Sequence, residues 1–182
     1  RVTEKNTVTD FDPEEQERGI SIGLAPCHVP WRGHEVQLLD CPGYGIFFSE
    51  TKAGLRVADA ALVCVSGVAG VEVNTENVWS FATEIELPVA FYLAKMDRER
   101  ADFERALGTL QKTFGRQVVP VQLPIGVEKE FKGIIDLVSR KAFQFELDGN
   151  GKAKEFPVPE ESAEAVESWR TRLIEAVAES DE

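Results

Sequence analysis

The sequence predicts an α/β protein in which a parallel sheet with helices on its faces is followed by a small α+β unit. Three observations carry that prediction. Short apolar runs at Ala61 to Val65, Val89 to Leu93 and Val118 to Leu123 alternate with two stripes at helical spacing. The stripes are Val78, Phe81, Ala82 and Ile85, then Phe103, Ala106, Leu107, Leu110 and Phe114. After Pro124-Ile125-Gly126 the pattern changes: Phe131 to Val138 and Ala142 to Leu147 read as strands, and an amphipathic helix closes the chain.

Each element has a local cause. Arg1 to Asp10 is polar, Thr-rich and aperiodic, hence a loop. Asp12-Pro13-Glu14-Glu15 starts a short helix, with Asp as N-cap, Pro at N1 and Glu at N3, and Gly19 stops it. Ile20 to Trp31 and Glu35 to Leu39 form a hairpin around Arg32-Gly33-His34. Glu50, Leu55, Ala58 and Ala61 suit a short helix. The unbroken runs at 61–65 and 89–93 are expected to be buried on both faces, with Cys64 in the core. Pro88 and Gly115 end the two helical stripes. In the second unit Phe143, Phe145 and Leu147 share a face, and Asp148-Gly149-Asn150-Gly151 is a hairpin turn. A calcium loop is disfavoured there, because Lys152 falls at a ligand position and no distal Glu is correctly spaced. Val166, Trp169, Leu173 and Val177 mark the last helix.

Length and charge set limits. A chain of 182 residues holds one good core, or one and a small second unit. Its 20 basic against 32 acidic residues give a net charge of −12, which argues against a nucleic-acid-gripping patch in this segment. No stretch approaches the roughly 18 apolar residues of a membrane helix, and no signal peptide is present. Cys27, Cys41 and Cys64 are odd in number and lack a C-x-x-C pattern, which favours reduced thiols and a cytoplasmic setting. Arg1 is not a start residue and the last helix runs to Glu182 without a stop, so the chain reads as part of a longer protein.

Three spots at strand ends could carry chemistry. Strand Gln37-Leu38-Leu39 delivers Asp40 into Cys41-Pro42-Gly43-Tyr44-Gly45, an arrangement able to hold magnesium and bring backbone close to a terminal phosphate. An ordinary strand-to-loop turn explains the same residues. Ala94-Lys95-Met96-Asp97 follows the 89–93 strand. There a carboxylate can accept both N–H donors of a guanine edge while the Lys stem covers the base. Asp97 as N-cap of a helix from Glu99 to Phe114 is the alternative, and both can hold at once. The third spot is Arg18-Gly19-Ile20-Ser21. His28 and His34 flank the hairpin without ligand-spaced partners, Trp31, Trp79 and Trp169 read as core or interface anchors, and Glu14, Glu15 and Glu17 read as a solvated face.

The ordered set Glu-Arg-Gly-Ile-Ser-Ile (17–22), Leu-Leu-Asp-Cys-Pro-Gly-Tyr (38–44) and Ala-Lys-Met-Asp (94–97) resembles the GTPase domain of translational GTPases, most closely elongation factor G. Gln122 to Gly126, Gly133 to Leu137 and the closing Pro157 to Glu182 extend the resemblance over nearly the whole chain. It implies an incomplete P-loop GTPase-type sheet over 1–124, carrying the switch regions and guanine-reading loop. It implies the start of an insert domain over 125–182. GTP or GDP with Mg²⁺ would be bound by Asp40, Cys41, Pro42, Gly43, Tyr44, Ala94, Lys95, Met96 and Asp97. Asp40 would hold a magnesium-bound water and Ser21 would ligate magnesium where the family has Thr. The Gly43 N–H would meet the γ-phosphate, and the ribosome would be the partner of the full-length protein.

The departures are specific. Tyr44 stands where the family has a water-orienting His, and a phenol of pKa near 10 cannot act as an imidazole at neutral pH. Ala94 replaces the usual Asn. No G-x-x-x-x-G-K-S/T phosphate loop occurs in the chain; in the family it precedes the segment starting at Arg1. The resemblance thus implies a divergent factor that hydrolyses GTP on the ribosome. A degenerate ribosome-binding module without efficient turnover, or a ribosomal-protection or release-factor GTPase, stays open.

Overall fold

The structure, a computed structural model, describes residues 7–145 and 152–180. Helix α1 (Pro13–Arg18) has the predicted cap: the Asp12 carboxylate accepts from Glu14 N–H at 2.8 Å, and Gly19 ends the helix at φ 66°. Strands β1 (Ala25–Trp31) and β2 (His34–Asp40) pair antiparallel from Ala25 opposite Asp40 to Trp31 opposite His34. Their two-residue loop has φ 47° at Arg32 and 81° at Gly33, the left-handed backbone that matches strand twist in tight hairpins. Residues 20–24 lie outside the strand, because their backbone bonds to α1 instead of β2. Trp31, at the hairpin tip, is 61% exposed and is not part of a core.

A 3₁₀ turn (Gly45–Phe47) leads into α2 (Phe48–Val57). Strand β3 (Ala61–Ser66), helix α3 (Val73–Glu84) and strand β4 (Val89–Ala94) follow, and β3 pairs with β4. Ala61 N–H bonds the Pro88 carbonyl at one end and Gly67 N–H the Ala94 carbonyl at the other, so the strands run parallel. Burial on both faces does not hold. Val65 is 2% exposed but Leu62 is 66% exposed, and Cys64 and Tyr92 are exposed as well. Along β3 the buried or half-buried Ala61, Val63 and Val65 alternate with the exposed Leu62 and Cys64, so only one face of the apolar run packs.

Helix α4 (Phe103–Phe114) buries Ala106, Leu107, Leu110 and Phe114, the stripe read from the sequence. The third strand differs from expectation. Among the described residues β5 (Gln122–Ile125) joins no parallel sheet; it pairs antiparallel with β6 (Gly133–Asp136), which continues to β7 (Lys141–Phe145) and β8 (Ala153–Phe156). Leu123 and Ile125 alternate onto the face that holds Ile135, Leu137 and Ala142, and that shared apolar face fixes the pairing. On β7 the buried residue is Ala142, while Phe143 is half-buried and Phe145 exposed. Leu147 and the predicted turn at 148–151 lie outside the described residues, as do Arg1 to Asn6 and Asp181-Glu182. Helix α5 (Ala163–Ser180) adds Val166, with Trp169 and Leu173 packed alongside.

The chain separates into two compact units, Arg1–Val63 with Glu72–Tyr92, and Cys64–Val71 with Leu93–Glu182. The core of the first is Leu55, Ala61 and Phe81, flanked by Phe48, Val63, Val78, Ile85, Leu87 and Val89. No described helix is long and apolar enough to cross a membrane.

Candidate functional site

The first unit holds the Asp40 corner. β2 ends on Asp40, whose Oδ2 accepts a hydrogen bond from the Thr9 hydroxyl. The following turn is braced from two helices. Thr51 of α2, 5% exposed, donates from Oγ1 to the Pro42 carbonyl at 2.9 Å, and Asn74 of α3 donates from Nδ2 to the Gly43 carbonyl at 2.7 Å. Pro42 is fully buried beneath the turn. Gly43 has no positive φ, and a Cβ built on it meets nothing within 4 Å, so nothing among the described residues demands glycine there. Cys41 is half-buried; burial pushes its thiol pKa up and the neighbouring Asp40 charge adds to the shift. Tyr44 is 57% exposed and precedes the 3₁₀ turn without a side-chain cap bond.

Ser21 is fixed by a device absent from the sequence reading. Glu15, expected on a solvated face, is 5% exposed. Its Oε1 accepts from Ile22 N–H at 2.8 Å and Gly23 N–H at 3.0 Å, and its Oε2 from Asp12 N–H at 3.3 Å. These amides favour the ionised form, Ile22 most, and hold the Glu15 carboxyl below the usual carboxylate range despite its burial. One side chain thereby ties α1 to the backbone just after Ser21. The Ser21 hydroxyl itself donates to Asp10 Oδ1 at 2.8 Å.

The second unit holds the Lys95–Asp97 loop. Asp97 caps no helix: α4 is capped by Asp102, whose Oδ1 accepts from Arg105 N–H at 2.9 Å. Lys95 sits at φ 61° and Arg100 at φ 67°, both in the left-handed region that non-glycine residues rarely adopt. Met96 is buried between them in sequence, so its neighbours Lys95 and Asp97 turn outward. Lys95, Asp97, Arg98 and Glu99 line an open depression of about 710 Å³ with Ser66, Val68, Ala69 and Lys129. Arg105 ties the lining residue Val68 to Arg100, the residue after Glu99, since its Nη2 donates to the Val68 and Arg100 carbonyls at 2.8 Å each. Glu128 accepts from Arg100 N–H at 2.7 Å, so the strained Arg100 is held on both its amide and its carbonyl.

In the first unit the structure brings Asp40 together with Thr9 and Ser21 with Asp10, and in the second Lys95 and Asp97 line one depression. Ala94 gives its carbonyl to Gly67 N–H at 2.8 Å. The sequence reading missed Thr51, Asn74, Arg105 and Glu128. All four bond to backbone, which leaves no signature in side-chain spacing. The cap at Asp102 was detectable, because it directly precedes the stripe that starts at Phe103.

Residues 1–180 match the sequence profile of the Elongation factor Tu GTP binding domain. The mixed helix and strand architecture is that of the α/β GTPase-domain class. Elongation factor G of Thermotoga petrophila is 40% identical over 181 residues, covering 100% of this chain and 26% of that protein. Elongation factor G of Mycoplasma pneumoniae is 39% identical over 176 residues, covering 97% of this chain and 26% of that protein. The solved crystal structure of ttk003000868 from Thermus thermophilus is similar at a TM-score of 0.90 and 38% identity, over 100% of this chain and 27% of that one. This chain belongs to the Elongation factor Tu GTP binding domain family, as a translational GTPase that resembles the GTPase region of elongation factor G. It spans about a quarter of the length of these relatives.

Proposed function

We propose that the protein carrying this chain binds GTP with Mg²⁺ and hydrolyses it on the ribosome, in the cytoplasm, as an elongation factor G-like factor. Residues 1–124 supply the switch and guanine-reading parts of its GTPase domain, and 125–182 the start of its insert domain. Lys95 and Asp97 read guanine: the carboxylate accepts from the ring N–H and the exocyclic amine, and the Lys stem covers the base. Gly43 meets the γ-phosphate through its N–H, and Tyr44 stands beside the attacking water.

The observation that supports this reading is Asp97. It has no capping duty, it is exposed, and it lines the depression beside a Lys held in a strained backbone conformation. Backbone strain of this kind, about 1–3 kcal/mol, concentrates at functional sites. For magnesium, Asp40 and Ser21 offer hard oxygen donors, which suit Mg²⁺ as partial ligands completed by water and phosphate. When bound, the ion would neutralise charge on the phosphates.

Isothermal titration of the full-length gene product with GDP and GTP in Mg²⁺, with phosphate release followed with and without ribosomes, tests the proposal. Sub-millimolar binding of both and ribosome-stimulated turnover are expected. Failure of both nucleotides to bind at millimolar concentration would overturn it. Tyr44, which cannot act as a neutral-pH imidazole, favours a second reading in which the protein binds but turns over little. Under that reading Tyr44→His raises turnover strongly.

A further inference from the structure

The peptide groups on both sides of Gly43 have their carbonyls held by side chains from different helices. In a trans peptide the N–H points opposite to the C=O, and the chain contains no cis bond among the described residues. Thr51 grips the Pro42 carbonyl at 2.9 Å, so the Gly43 N–H is turned away from α2. Asn74 grips the Gly43 carbonyl at 2.7 Å, so the Tyr44 N–H is turned away from the Asn74 amide. Among the described residues neither of these two N–H groups donates to an acceptor. Two consecutive, uncommitted amides beside a glycine whose Cβ position is open form a small donor site suited to an anion.

We infer that Thr51 and Asn74 are positioning residues that aim the Gly43 and Tyr44 amides at the terminal phosphate of the bound nucleotide. The inference rests on the proposed nucleotide-binding reading and goes beyond it by naming what orients the donors. Both residues carry features that stability alone does not explain. Thr51 lies within α2 and is buried, yet its hydroxyl reaches the carbonyl nine residues back instead of one a turn earlier in its own helix. The second amide atom of Asn74, Oδ1, is buried without a hydrogen-bond partner, a cost that a residue selected only for packing would not carry.

The test compares affinities for a non-hydrolysable GTP analogue and for GDP in the full-length gene product. Thr51→Val removes the hydroxyl at nearly constant volume, and Thr51→Ser restores it. Thr51→Val is expected to weaken the triphosphate roughly tenfold, the worth of one charge-assisted hydrogen bond, and to leave GDP within about twofold. Thr51→Ser should keep the wild-type ratio. Asn74→Ala, on a half-exposed side chain that already leaves one atom unpaired, should lower the ratio in the same direction even if Thr51→Val does not fold. Equal losses for both nucleotides, or an unchanged ratio in both variants, would overturn the inference alone. No nucleotide binding by the unmodified protein would remove the parent reading and this inference together.

Discussion

Replacing Glu15 by alanine removes one carboxylate that satisfies three backbone amides, and the structure sets the size of the effect. The two short bonds, to Ile22 and Gly23, both end on Oε1, while the bond to Asp12 at 3.3 Å is weak. A hydrogen bond to a charged group contributes about 1.5 kcal/mol at the low end, so the pair is worth about 3 kcal/mol. At 1.36 kcal/mol per decade, that is on the order of a 100-fold change in the opening equilibrium of segment 19–25. Amide hydrogen exchange with mass spectrometry of that segment reads it directly, whether the opening is local or global. Glu15→Gln keeps a neutral acceptor at Oε1 and should lose about half as much. The pH dependence has a fixed sign. The folded-state pKa is depressed, so the stabilisation is present above the ordinary value of 4.5 and fades as pH falls through the lower folded value. After correction for intrinsic exchange, protection of Ile22 and Gly23 should therefore fall as the solution is acidified below about 4.5, and in Glu15→Gln it should not. Protection in Glu15→Ala within threefold of wild type would refute the reasoning.

Two further outcomes follow from the sites. Arg105→Ala frees the Val68 and Arg100 carbonyls to water, and because Arg105 is exposed the loss is about 1 kcal/mol. That is roughly a fivefold weaker affinity for a fluorescent GDP analogue, and unchanged affinity would show that the brace does not shape the depression. Cys41, whose thiol pKa is raised by burial and by Asp40, should react with iodoacetamide at pH 8 several-fold more slowly than free cysteine. Equal or faster alkylation, read by mass spectrometry, would contradict that environment.

Local chemistry was readable in the sequence wherever neighbours in the chain are neighbours in space. Asp12, Pro13, Glu15 and Gly19 set both ends of α1, and the Arg32-Gly33 pair set the hairpin, because caps and tight turns close within four residues. The stripe from Phe103 to Phe114 gave α4 for the same reason. What failed depended on distant partners. Glu15 has the look of a surface residue, and only the amides seven and eight positions later bury it. Strand β5 has the same apolar run whether its neighbour is parallel or antiparallel, so its pairing with β6 was not legible. The runs at β3 and β4 announced double-sided burial, but a run of apolar residues cannot report which of its faces receives a neighbour. At the candidate site Lys95 and Asp97 are exposed, as a loop position implies, while Asp40 is half-buried and accepts from Thr9, a partner 31 positions away that the sequence does not announce. Thr51, Asn74, Arg105 and Glu128 act on carbonyls and amides, which every residue owns, and only coordinates reveal which were chosen.

Lys95 at φ 61° carries a consequence for anyone engineering this loop. Glycine or asparagine at that position would relieve about 1 kcal/mol of backbone strain, so a screen scored on heat resistance would enrich both. Each would also delete the four-carbon stem that lines the depression. Directed evolution toward a sturdier fold and toward a tighter ligand would therefore pull this codon in opposite directions, and library scores at position 95 would separate the two pressures.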